Sequence, residues 1–119
     1  MRTNFLAMFA AVVAGAVAAS CAALADPPKP PPGNALSGKG IAAIKCNGCH
    51  AIEKGATVSP NIKAPPFAVV AASKLATVRE VDAWLQHSHP DMPDLGLDAG
   101  QRGDVIAYLQ SLNPKEPMQ

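Results

Sequence analysis

Residues 45–50 read Lys45-Cys46-Asn47-Gly48-Cys49-His50, and everything else in the chain is easiest to place from there. Two thiols three positions apart, followed at once by an imidazole, admit few chemistries. A structural disulfide, a redox dithiol and half of a zinc site all share the C-x-x-C spacing. A redox dithiol belongs in a βαβ context, and no strand-like alternation flanks this motif. A zinc site wants a second ligand pair, and His87 and His89 supply none at finger spacing. The fifth residue favours a fourth reading, a covalent haem-attachment site. Each thiol can add to a haem vinyl group as a thioether, and the next residue is then held under the iron, where its imidazole becomes a ligand.

N-terminal to the motif, Phe5 to Ala25 is an uncharged run of 21 residues behind Arg2. A cationic head, an apolar stretch and the small residues Ala23-Leu24-Ala25 make a secretory signal over 1–25. Export fits the motif, because haem is attached to reduced thiols outside the cytoplasm. The expected location is therefore periplasmic, with cleavage to a soluble form favoured. Lipidation at Cys21, or retention of the apolar run as an anchor, would leave a membrane tether instead. Five prolines in Pro27-Pro28-Lys29-Pro30-Pro31-Pro32 follow and read as a stiff spacer over 26–35. Residues 36–119 are then the folded domain.

Cleavage after Ala25 would leave 94 residues with Phe67, Trp84 and Tyr108 as their only aromatics. Domains this small often need a staple, and a cofactor in the core would serve. The exported part carries nine basic and nine acidic groups, which argues against nucleic-acid binding by bulk charge. The charge is uneven along the chain: residues 26–79 carry seven basic and two acidic groups, residues 80–119 two and seven. Lys39, Lys45, Lys54 and Lys63 bracket the motif. They are either a steering rim for partner proteins or ordinary solvated lysines.

The pattern is all-α. A first helix is predicted from Ser37, as N-cap, to Lys45, with Ile41 and Ile44 on one face. Residues 51–66 are loop-like, and a short helix follows from Phe67 to about Ser73. Thr77-Val78-Arg79-Glu80 has the form of a capping box and opens a helix ending near His87. Asp98-Ala99-Gly100-Gln101 repeats that logic for a last helix lined by Val105, Ile106, Leu109 and Leu112, stopped at Asn113-Pro114. Three main helices and one short one result.

Over residues 36–113 the chain resembles the small monohaem class I c-type cytochromes of bacteria. The resemblance rests on Cys46-Asn47-Gly48-Cys49-His50, on Ala64-Pro65-Pro66-Phe67, on His89-Pro90-Asp91-Met92-Pro93 and on the run Asp104 to Leu112. It implies a cytochrome c-like fold around haem c, joined through Cys46 and Cys49 with His50 as one iron ligand. In that family a Met-Pro methionine is the other ligand, a role that falls on Met92. Met118 lies in a proline-flanked tail where nothing is expected to hold it at an iron, and His89 or His87 would give bis-His ligation instead. The family orients its histidine with a proline carbonyl; Pro60 and Pro65 compete, and Pro65 is favoured because Phe67 to Ala71 resembles the turn that walls the haem. Phe67, Trp84, Tyr108, Ile41 and Leu109 then read as haem-lining or helix-packing groups, with a haem propionate as a second option for Trp84.

A His/Met iron cycles between two oxidation states without opening a substrate site. No paired carboxylates, nucleophile–base pair or phosphate loop is evident, so the expectation is a one-electron carrier between redox proteins and not an enzyme. A tethered cytochrome subunit of a dehydrogenase or oxidase is the alternative. A haem sensor or peroxidase with an open distal site stands third.

Overall fold

The computed structural model describes residues 32–74, 76–113, 115 and 118, and these form four helices. The expected signal at 1–25, and the spacer up to residue 31, lie outside the described residues. Helix α1 is Ala35–Lys45, α2 is Phe67–Ala72, α3 is Val78–Gln86 and α4 is Ala99–Leu112. The only β-type pairing among the described residues is an isolated bridge between His89 and Met92. The all-α expectation holds.

Helix α1 starts earlier than the sequence predicts. Its cap is Asn34, whose side-chain oxygen accepts from Leu36 N at 2.9 Å and Ser37 N at 3.0 Å. Ser37, expected as the cap, lies in the first turn with its own N–H already taken. Asn34 prevails because its backbone N–H donates to Asp104 Oδ1 at 2.7 Å, tying the start of α1 to α4. The two helices meet without side chains between them. A Cβ on Gly38 would overlap the carbonyl of Asp104, and one on Gly33 the carbonyl of Gly103. Glycine at these positions lets the backbones touch.

Both predicted capping boxes are present. Thr77 Oγ1 accepts from Glu80 N at 3.2 Å while Glu80 Oε2 accepts from Thr77 N at 2.9 Å. Asp98 Oδ1 and Gln101 Oε1 do the same for α4, at 2.8 and 3.1 Å. The buried face of α4 carries Val105, Ile106, Tyr108 and Leu109, against which Val78, Phe67 and Leu97 are buried. An ion pair closes the α3–α4 contact. Arg102 Nε donates to Asp82 Oδ1 at 2.8 Å, with side-chain exposures of 15% and 12%. Gln86 Nε2 fills the second Asp82 oxygen at 2.7 Å, and Arg102 Nη1 donates to Leu97 O at 3.0 Å.

Of the two readings of Trp84, helix packing is not what the structure shows: the side chain is 62% exposed. Val78, Val81 and Leu85 define the inward stripe of α3, and at 100° per residue Trp84 falls about a quarter of a turn away from its centre. Met118, expected to have no route to an iron, is buried in the core, with its carbonyl accepting from Gln110 Nε2 at 3.2 Å.

Candidate functional site

Helix α1 delivers the cysteine motif. Cys46 caps its C-terminal end, and the N–H groups of Cys46 and Asn47 both reach Ala42 O at 2.9 Å. The chain then makes one further turn, in which Cys46 O accepts from Cys49 N at 3.1 Å and His50 N at 2.9 Å. Residues at i, i+3 and i+4 of a helical turn share a face, so this turn brings both thiols and the imidazole together. The cysteines are not bridged to each other; Cys46 is buried and Cys49 exposed. Burial pushes the Cys46 thiol above its ordinary pKa, with a small opposing effect from Lys45.

Residues 51–66 then fold around that turn. Asn61 N donates to Cys49 O at 3.1 Å and Phe67 N to Ala51 O at 2.9 Å. The buried hydroxyl of Ser59 accepts from Ala51 N at 3.0 Å. The result is that Pro65 O lies 2.7 Å from His50 Nδ1. A carbonyl only accepts, so Nδ1 carries the proton and donates. The lone pair of His50 is thereby placed on Nε2. Phe67 follows Pro66 as the first residue of α2; its ring centroid is 5.4 Å from that of His50 and 6.4 Å from that of Tyr108. Tyr108, from α4, donates its hydroxyl to Ile52 O at 2.8 Å.

Met92 comes from the connection between α3 and α4. His89 and Met92 exchange two backbone hydrogen bonds, His89 N to Met92 O at 2.8 Å and Met92 N to His89 O at 3.0 Å. Pro90 and Asp91 form the tip of this small hairpin, and proline at the first corner presets its φ. The His89 ring is engaged: Nε2 donates to Trp84 O at 2.8 Å and the ring lies 4.7 Å from the Trp84 indole. His87 is exposed at the end of α3. Side chains from the other limb reach across on both sides of Met92. Lys63 Nζ pairs with Asp91 Oδ1 at 3.1 Å, and Lys45 Nζ donates to Leu95 O at 3.0 Å.

A groove of about 550 Å³ runs between Gly55–Thr57 and α2, but none of the cysteine, histidine or methionine side chains above lines it. Sequence reasoning missed Ser59, the Tyr108 hydroxyl and the Asp82–Arg102 pair. For the last a signal existed: Asp82 sits at i+4 from Val78, inside an apolar stripe, where an unpaired carboxylate would be costly.

Among the described residues no three His, Cys, Asp or Glu side chains gather as a metal-ligand cluster. The donor set fits a different group. Two thiols at vinyl spacing, a histidine whose Nδ1 is held by a carbonyl so that Nε2 is the free base, and a nearby thioether suit haem. Four helices built on a C-x-x-C-H turn, with that histidine oriented by a proline carbonyl, define a c-type haem protein. Cytochrome c-552 of Bradyrhizobium diazoefficiens is 32% identical to this chain over 77 residues, which is 65% of this chain and 73% of that protein. No family model matches, and no solved structure matches significantly. The chain belongs to the small monohaem c-type cytochromes, carries haem c bound covalently through Cys46 and Cys49, and works in electron transfer.

Proposed function

We propose that this cytochrome is a periplasmic one-electron shuttle whose iron is held by His50 on one side and Met92 on the other. Haem supplies the one-electron ferric–ferrous couple. The observation that carries the reading is the division of labour at the two ends of the site. On one side, His50 Nδ1 is committed to Pro65 O at 2.7 Å, which leaves Nε2 as donor. On the other, His89 is committed to Trp84 O at 2.8 Å while the Met92 backbone is closed into a hairpin. A histidine already donating through Nε2 is a poor rival to a half-buried thioether. Phe67 stands beside the His50 ring and excludes water from that side. Trp84, exposed on α3, is available to line the haem or to donate its indole N–H to a propionate.

A soft thioether favours ferrous iron and keeps the sixth position filled. Partners are redox proteins, met through the surface around the cysteine turn. The periplasmic assignment rests on the 1–25 head and on the chemistry of haem attachment. Among the described residues no helix is long and apolar enough to cross a membrane.

The ferric absorption spectrum of the purified holoprotein tests the proposal. A weak red band from Met-to-iron charge transfer is expected in the wild type and absent in Met92→Ala. A wild type lacking that band and binding carbon monoxide immediately would overturn it.

A further inference from the structure

Three of the four lysines that bracket the cysteine turn are engaged within the chain, and two of them reach the same loop. Lys45 is the last residue of α1, immediately before Cys46, and its ammonium donates to Leu95 O at 3.0 Å. Lys63 lies two residues before Pro65, and its ammonium pairs with Asp91 Oδ1 at 3.1 Å. The two polypeptide limbs that place His50 therefore each send one side chain across to the Met92 loop. They land on either side of the methionine, one residue before it and three after.

Besides those contacts the loop is held from outside by the His89 ring on Trp84 O at 2.8 Å and by Leu95, partly buried against the core. Its backbone is closed on itself by the His89–Met92 hairpin, and Asp94 Oδ1 accepts from Gly96 N at 2.8 Å, again within the loop. The first fully buried residue after the hairpin is Leu97, whose carbonyl is held by Arg102. We infer that Lys45 and Lys63 are positioning residues, a two-point clasp that holds the Met92 loop to the His50 limbs and sets how often the Met92 thioether leaves the iron. The inference rests on Met92 being the sixth ligand.

The two points differ in kind. Lys63–Asp91 is an ion pair with side-chain exposures of 68% and 62%, so it is weak and screened by salt. Lys45–Leu95 is a charged donor on a backbone carbonyl and is less sensitive to salt. The two act at separate points of the loop, so their effects on opening multiply.

The experiment uses ferrous holoprotein and carbon monoxide, at concentrations where binding is limited by departure of the methionine. Lys63→Gln, Asp91→Asn and Lys45→Gln are each expected to bind carbon monoxide about two- to fivefold faster than wild type, the range set by one exposed ion pair or charged hydrogen bond. Lys63→Gln combined with Asp91→Asn should be no faster than either alone. Lys63→Gln combined with Lys45→Gln should show the product of the two. At about 1 M salt, where the Debye length is roughly 3 Å, the wild type should approach the rate of Lys63→Gln. Each single variant should lower the thermal midpoint by no more than about 8 °C, the shift that loss of one such contact gives a domain of this size.

Wild-type rates in all three single variants would overturn the clasp, as would a Lys63→Gln/Asp91→Asn pair whose effects multiply as independent ones do. A different pattern marks failure of the ligand assignment. If wild type binds carbon monoxide without a limiting rate and Met92→Ala leaves the spectrum unchanged, Met92 is not the ligand and the clasp falls with it.

Discussion

His50 reaches its carbonyl through a limb bonded along its own backbone at Cys46, Cys49 and Ala51, backed by Ser59, Phe67 and Tyr108, all buried. Met92 sits on a two-bond hairpin whose outside anchors are His89, Lys63 and Lys45, at or near the surface. Buried, mutually supporting contacts open only with the fold, whereas exposed ones open locally. In the proposed ligation the two sides of the iron would differ in stiffness: the histidine side belongs to the core, and the methionine side would give way while the core stays intact.

The sharpest break of that comparison is on the stiff side. His50→Ala, or Cys46→Ala together with Cys49→Ala, should leave no stable covalent haem and no folded holoprotein. Residues 26–119 carry three aromatics, too few to offset chain entropy without the cofactor. Acid–acetone extraction followed by circular dichroism checks this. Retained covalent haem in the double cysteine variant, or a cooperative thermal transition in haem-free protein, would contradict it.

Next comes the soft side. Met92→Ala should keep haem and fold but admit water or carbon monoxide at the sixth position. The reduction potential should fall by a sizeable part of the roughly 0.8 V that axial ligation spans. His89→Ala should leave the spectrum Met-like. Met118→Ala should leave the spectrum unaltered but cost stability, about 2–5 kcal/mol if the buried side chain leaves a cavity. Redox titration beside denaturant unfolding separates the three.

Which parts of this arrangement could be read from residues follows the range of the interactions. Thr77 and Asp98 were legible as caps because each box closes within three residues. Asn34 was not, since Ser37 has the same capping chemistry nearby and the deciding partner, Asp104, is 70 positions away. The C-x-x-C-H turn is local, and so is its chemistry. The choice between Pro60 and Pro65 beside His50 is not, because it depends on how Ser59 and Asn61 fold the intervening loop back onto Ala51 and Cys49. Trp84 was open between lining the haem and packing between helices, and its angle on α3 decides against the second. The burial of Met118 was not legible, because the contact that holds its carbonyl comes from Gln110 in the last turn of α4.

Between the two sides lies the α3–α4 joint, and breaking it tests whether the Met92 loop depends on the helices that flank it. Asp82→Ala would leave Arg102 charged and nearly buried with no counterion, a loss of about 3–5 kcal/mol. Asp82→Leu with Arg102→Met should recover much of that, because a buried pair can be replaced by apolar groups of similar volume. Chemical denaturation of the holoprotein measures both. A single variant as stable as wild type would mean the pair is solvated in solution.

The smallest effect is expected at Thr77, at the far end of α3 from the methionine. The Glu80 carboxyl is held below the ordinary range, first by the Thr77 backbone N–H and then by its hydroxyl. A carboxylate lowered in the folded state adds stability above its unfolded pKa and loses it as the pH falls through the lower folded value. Thr77→Ala removes the acceptor for Glu80 N and the hydroxyl donor to the carboxylate, a loss of about 1 kcal/mol at neutral pH. As the pH falls through the range in which Glu80 protonates, the hydroxyl-to-carboxylate part disappears from the wild type too, so the gap between the two proteins should narrow without closing. Parallel denaturation curves at several acidic pH values read that gap. Because the box caps α3 while Met92 follows its opposite end, the carbon monoxide rate of Thr77→Ala should stay at the wild-type value; a faster rate would show that the first turn of α3 and the Met92 loop move as one unit.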